Sequence, residues 1–67
     1  MDQRVKFIDL NGVERLAEYL VVIDHDGEDF VEAKVVGDTK EWTEWYDLEE
    51  FQLKNPYMVL SNKPIGD

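Results

Sequence analysis

The segment of residues 20–36 constrains the fold more than any other part of this chain, because it has the pattern of a β-hairpin. Two apolar arms rich in β-branched residues flank a polar centre that contains Asp26-Gly27. β-Branched side chains pack well on a pleated surface, and an Asp-Gly pair tolerates the positive φ angles of a tight turn. The pattern therefore predicts two antiparallel strands in the middle of a small β-sheet.

Further strands are predicted on both sides of this hairpin. Residues 4–10 carry apolar side chains on both alternating faces and are followed by Asn11-Gly12, a pair typical of a type I′ turn. After the hairpin, residues 41–46 are predicted as a strand with Trp42 and Tyr46 on one face and Trp45 on the other. We expect Trp45 to be the exposed tryptophan of the two.

Residues 13–23 allow two interpretations. Val13, Ala17 and Leu20 follow helical spacing, which predicts a short helix over residues 13–19 and an α+β fold. The Asn-Gly pair before the segment and the β-branched run at residues 21–23 instead favour a long strand that bends near Ala17. We favour the bent strand and keep the helix as the alternative.

The last third of the chain predicts one helical turn near residues 47–51, with Asp47 as its N-cap, and a short closing strand at 57–60 after the break at Pro56. Residues 61–67 are predicted to be a disordered tail, which leaves one small domain of residues 1–60. The fold class is mainly β, with four to five antiparallel strands in a strongly bent sheet or a small barrel. This order of elements resembles the SH3-like barrels, including Tudor-like and KOW-like modules, which implies a fold and no particular function.

The charge of the chain excludes two classes of partner. The formal net charge is -9, and residues 24–50 hold eleven carboxylates against two lysines. Nucleic acids and anionic membranes attract lysine and arginine, so we expect neither direct nucleic-acid binding nor membrane binding. No apolar run approaches the roughly 20 residues that a membrane span needs, and MDQRVKF lacks the apolar core of a signal peptide, so a cytoplasmic location is expected.

No catalytic constellation is recognisable in the sequence. Ser61 is the only serine, His25 is the only histidine and lies among acids at a turn, and there is no cysteine. A calcium loop of the EF-hand type has its glycine at the sixth position, whereas Gly27 is the fourth residue of the acidic segment that begins at Asp24. We therefore predict no enzyme activity, no metal site and no cofactor.

The acidic segment and its aromatic residues are the functional clue. An electronegative surface suits a basic partner, and aromatic side chains commonly anchor protein interfaces. The predicted partner is therefore a basic protein, of the kind that binds nucleic acid. The candidate partner-binding residues are Asp24, Asp26, Glu28, Asp29, Glu32, Glu41, Glu44, Trp45, Asp47, Glu49 and Glu50.

In size and acidity the chain resembles small phage-encoded inhibitors and DNA mimics, and this resemblance implies competition with nucleic acid for a basic groove. The alternative is a structural or assembly subunit, such as a homodimer, in which the acids only confer solubility.

Overall fold

The computed structural model describes residues 4–62, which form one mainly antiparallel β-sheet with a short helix on one face. The strands are β1 (Val5–Ile8), β2 (Glu14–His25), β3 (Glu28–Val36), β4 (Glu41–Asp47) and β5 (Ser61–Asn62), and the helix α1 spans Leu48–Lys54. The strand order is β1-β2-β3-β4, and β5 pairs in parallel with β2. The predicted mainly β fold is confirmed, and the sheet is open and is not closed into a barrel.

The central hairpin predicted at residues 20–36 is confirmed. β2 and β3 are joined by Asp26 and Gly27 alone, with φ angles of 55° and 81°, and His25 pairs with Glu28. Positive φ at both central positions is the geometry of a type I′ turn, whose twist matches that of the two strands. The carboxylate of Asp24 accepts a hydrogen bond of 3.0 Å from the backbone N–H of Gly27, which holds the turn closed.

The bent strand predicted for residues 13–23 is also confirmed, and the alternative helix at 13–19 is wrong. β2 pairs with β1 on one edge and β3 on the other, so its backbone groups bond to neighbouring strands. The register shifts between Ala17 and Leu20, which places Glu18 and Tyr19 opposite Lys34 alone. Such a β-bulge bends the strand and increases its twist.

The connection between β1 and β2 differs from the predicted type I′ turn. Residues 9–13 separate the strands, and within this connection only Gly12 has a positive φ, of 81°. The buried carboxylate of Asp9 organises the loop by accepting hydrogen bonds of 2.9 Å from the backbone N–H groups of Asn11 and Val13. It also pairs with Nε of Arg15 at 3.0 Å. A local carboxylate acceptor thus replaces the compact turn that the Asn-Gly pair predicted.

The chain after β4 departs from the prediction in two places. The helix α1 is longer than the predicted turn at 47–51, although Asp47 does cap it by accepting a hydrogen bond of 3.2 Å from the Glu50 N–H. The closing strand predicted at 57–60 is wrong, because the Met58 N–H bonds to the Asn55 carbonyl and the chain is still turning there. Pairing with β2 begins only at β5, inside the segment predicted as a tail, and residues 63–67 lie outside the described part of the chain.

The core lies between α1 and one face of the sheet. Phe51 of α1 is fully buried, and its ring centroid lies 5.7 Å from those of Phe7 and Tyr46. The buried apolar residues are Phe7, Ala17, Val31, Ala33, Val35, Tyr46 and Phe51. Val31, Ala33 and Val35, which alternate along β3, therefore all face the core. Within residues 4–62, no helix has both the length and the apolar character that crossing a membrane requires.

Candidate functional site

The face of the sheet opposite α1 presents the residues that alternate with the core positions, and we call it the outer face. Paired residues of antiparallel strands lie on the same face, so the register assigns each side chain to one side. The principal outer-face residues are Tyr19, Val21, Ile23 and His25 of β2, Glu28, Phe30, Glu32, Lys34 and Val36 of β3, and Glu41, Thr43, Trp45 and Asp47 of β4.

Three aromatic side chains form a contiguous group on this face, which we call the aromatic cluster (His25, Phe30 and Trp45). The Trp45 ring stacks on Phe30 with a centroid distance of 5.9 Å and an interplanar angle of 28°. The His25 ring lies 5.2 Å from Trp45 and 6.4 Å from Phe30. Trp45 nevertheless keeps 47% of its surface exposed. Partly exposed, mutually packed rings of this kind are enriched at protein interfaces.

Glu32 holds the aromatic rings around it in place. One of its carboxylate oxygens accepts a hydrogen bond of 2.8 Å from the Tyr19 hydroxyl, and the other accepts one of 3.1 Å from Nε1 of Trp45. The hydrogen bond to Glu32 raises the pKa of Tyr19 above its usual value, so Tyr19 remains a neutral donor near pH 7. Stacking and hydrogen bonding together fix the Trp45 ring, which reduces the freedom that it would lose on binding.

A second feature of the outer face is a pair of carboxyl groups, Glu18 and Glu41, beside Lys34. The hydrogen bond between the two carboxyl groups and their mutual repulsion raise the pKa of Glu18. Nζ of Lys34 lies 3.6 Å from the Glu41 carboxylate and offsets part of the repulsion. A further positive charge brought by a partner would be favourable at this position.

The structure places only some of the predicted binding residues on the outer face. Glu28, Glu32, Glu41, Trp45 and Asp47 lie there. Trp45 is exposed and Trp42 packs against the core, as predicted from the alternation of β4.

The other predicted acids lie elsewhere. Asp24 and Asp29 pair across the hairpin on the opposite side of the sheet, and Asp26 lies in the turn. Glu44 shares the face of Trp42 and accepts a hydrogen bond of 2.6 Å from its Nε1. Glu49 and Glu50 lie in the first turn of α1, where negative charge stabilises the helix. Of these six residues only Asp26 borders the aromatic cluster, because its carboxylate lies 3.4 Å from Nε2 of His25. The other five lie on the opposite side of the sheet or on α1.

Sequence analysis missed Tyr19, His25 and Phe30 as members of the site. His25 was interpreted only as an exposed turn residue, whereas its ring contacts two other rings. The alternation of β3 does place Phe30 on the same face as Glu32, which was available from the sequence. The contact of Phe30 with Trp45 depends on the register between β3 and β4, and the contact of His25 depends also on the register between β2 and β3. The residue pattern alone does not specify these registers.

Three exposed apolar side chains lie near the end of α1 and beyond it, and we call these residues the apolar end (Leu53, Tyr57 and Val59). These side chains are 80%, 96% and 94% exposed, respectively. Residues 51–60 contain no aspartate or glutamate, although Leu53 lines a surface depression together with Glu49 and Glu50 of α1.

Among residues 4–62, no group of three or more histidine, aspartate or glutamate side chains is arranged to hold a metal ion. No protein-family model, curated protein or solved structure matches this chain.

Proposed function

We propose that this protein is a non-enzymatic, acidic binding domain whose outer face engages the basic surface of a nucleic-acid-binding protein. The observation that carries the proposal is the aromatic cluster, partly exposed and oriented by Glu32, on a sheet face that also carries Glu28, Glu41 and Asp47. The rings supply apolar contact area, and the carboxylates supply attraction to a cationic surface.

The net charge of -9 supports this choice of partner. A strongly charged surface attracts an oppositely charged protein over a distance of about one Debye length, roughly 10 Å at 0.1 M salt, and accelerates their association. Proteins that bind nucleic acid carry basic grooves because they must neutralise phosphates. An acidic domain that occupies such a groove competes with nucleic acid, so inhibition of the partner is the expected consequence.

Affinity capture from a cell lysate at two ionic strengths tests the proposal. The tagged protein is washed in parallel at about 0.1 M and about 0.5 M salt, because exposed charge contacts are largely screened at the higher value. We expect a basic nucleic-acid-binding protein to be retained at the lower salt concentration and lost at the higher one. Retention that is equal at both concentrations would contradict a charge-steered interface.

Two pairs of substitutions localise the interaction. Glu41→Gln with Asp47→Asn removes two charges from the outer face, and asparagine still caps α1. Glu44→Gln with Glu49→Gln removes the same charge from the other face of β4 and from α1. We expect the first pair to weaken binding of the captured partner about tenfold more than the second. Equal losses would show that only the net charge matters.

The apolar end favours a second candidate function, that of an assembly subunit. Three highly exposed apolar side chains suit a contact with a second copy or with a larger complex. Sedimentation at about 0.1 M and about 0.5 M salt distinguishes the two functions. A dimer that persists at both concentrations and is lost on Tyr57→Ser would support assembly.

A further inference from the structure

The strand β4 forms one end of the sheet, and no described strand pairs with its outer edge. Within the described part of the chain, β4 pairs only with β3. The Gly37 N–H bonds to the Lys40 carbonyl at 2.8 Å, which identifies these residues as a hydrogen-bonded pair. Since such pairs alternate along antiparallel strands, Trp42, Glu44 and Tyr46 direct their backbone groups towards β3. The backbone groups of Thr43 and Trp45, and of the flanking Glu41 and Asp47, are directed towards the open edge.

We propose that the open edge of β4 binds an extended basic segment of the partner protein as an added antiparallel strand. This inference rests on the proposed function and specifies how the partner is held. Backbone hydrogen bonds to Thr43 and Trp45 supply the pairing, and lysine or arginine side chains of the segment lie opposite Glu41 and Asp47. We therefore expect the sequence of this partner segment to alternate basic residues with residues that favour β-strands.

The side-chain arrangement of β4 favours a basic strand in this position. The residues that direct their backbone outward also have their side chains on the outer face, at Glu41, Thr43, Trp45 and Asp47. Cβ atoms of directly opposed residues in an antiparallel pair lie about 4.5–5.5 Å apart, within reach of a charge pair. A cationic side chain next to Trp45 also reaches the exposed part of its ring.

The same arrangement disfavours a second copy of this chain as the occupant. If β4 paired with itself antiparallel about its central residue, Glu44, then Glu41 of each copy would lie opposite Asp47 of the other. Like charges that face each other across strands are destabilising, and charged residues on edge strands commonly prevent self-association. The carboxylates thus select against the self-pairing that an open edge otherwise permits.

A synthetic peptide tests the inference directly. The probe has seven residues, with lysine at the odd positions and valine at the even ones, so that its lysines oppose the outward residues of β4. In the first modified peptide, the two central lysines carry N-methyl groups, which remove the N–H donors aimed at Thr43 and Trp45. In the matched control, two valines carry the N-methyl groups, and the charge and the number of methyl groups are unchanged.

We expect the unmodified peptide to bind the full chain at about 0.1 M salt in titration calorimetry. N-methylation of the lysines should weaken binding about tenfold or more, because two backbone hydrogen bonds are lost, and N-methylation of the valines should weaken it less than about threefold. Equal weakening by the two modifications, or no binding of the unmodified peptide, would overturn strand addition. Equal weakening would leave the charge-steered function intact, because all three peptides carry the same charge.

A substitution in β4 provides an independent test. Thr43→Pro removes an outward N–H without changing the charge, and proline is tolerated on edge strands where the N–H faces solvent. Thr43→Ala is its control, because both variants lose the hydroxyl. We expect only the proline variant to lose peptide binding and the alanine variant to retain it, with circular dichroism showing the same fold in both. Undiminished binding to a folded proline variant would overturn the inference, and the methylated peptides decide the matter if that variant does not fold.

Discussion

Asn55 connects the end of α1 to the first strand, and its removal is predicted to cost a large part of the stability. Its Oδ1 accepts a hydrogen bond of 2.8 Å from the Ile8 N–H. Its Nδ2 donates to the carbonyl groups of Ile8, at 2.8 Å, and Phe51, at 3.0 Å. Asn55 as a whole is only 9% exposed, so water has little access to these groups.

The magnitude follows from the number of bonds. Each hydrogen bond contributes about 0.5–1.5 kcal/mol net, and a buried group left without a partner costs about 1–3 kcal/mol. The backbone groups of Ile8 lie at a sheet edge and are partly accessible, so we expect Asn55→Ala to lower the free energy of unfolding by about 2–3 kcal/mol. For a domain of this size the melting temperature should then fall by about 10–20 °C.

Urea denaturation followed by circular dichroism measures this change, with the slope of the transition checked for constancy. Gln52→Ala is the matched control, because Gln52 is exposed on the same helix and alanine favours the helical state. We expect the control to change the unfolding free energy by less than about 0.5 kcal/mol. A loss for Asn55→Ala no larger than that of the control would refute the reasoning, since water would then replace the side chain at no cost.

Three further predictions concern single residues. Gly37→Ala should lower the melting temperature in thermal unfolding, because the added Cβ would lie 2.8 Å from Cζ3 of Trp42. An unchanged melting temperature would mean that the Trp42 ring moves aside at no cost. The hydrogen bond from the Val13 N–H lowers the pKa of Asp9, so the Asp9 carboxylate stabilises the fold at pH 7. This stabilisation is lost as the pH falls through the pKa that Asp9 has in the folded state. The stability difference between wild type and Asp9→Asn should therefore shrink from pH 7 to about 2.5 in urea titrations, and a constant difference would argue against it. Because the pKa of Glu18 is raised, Glu18→Gln should stabilise the protein at pH 7, and this gain should disappear at about pH 2.5. A gain in stability that persists in acid would exclude repulsion between Glu18 and Glu41 as its cause.

Local signals accounted for the parts of the fold that the sequence predicted correctly. The Asp26-Gly27 turn depends on two adjacent residues and their φ preferences, and the alternation of β4 separates Trp42 from Trp45 within one strand. The bend of β2 was predictable because Ala17 interrupts a run of larger side chains.

One error came from a local side-chain hydrogen bond, and the others came from pairing between distant parts of the chain. Asn11-Gly12 has the composition of a tight turn, but the Asp9 carboxylate bonds to the Val13 N–H and stabilises a wider loop. The position of β5 depends on its pairing with Val21 and Val22, about 40 residues earlier in the chain. The aromatic cluster required the register between β3 and β4, and residue composition alone does not specify register.

The edges of the sheet are unequal, and this inequality limits how many partners the sheet can join by strand pairing. On β1, a four-residue strand, the backbone groups of Ile8 are already bonded to the Asn55 side chain, and β2 is paired with β5 at Val21 and Val22. Of the described strands, β4 alone offers a long edge without a partner. A sheet with two such edges can add strands on both sides and grow into a fibre. A sheet with one such edge can add a strand on that side only. Complexes formed through β4 should therefore contain one added strand for each copy of this chain.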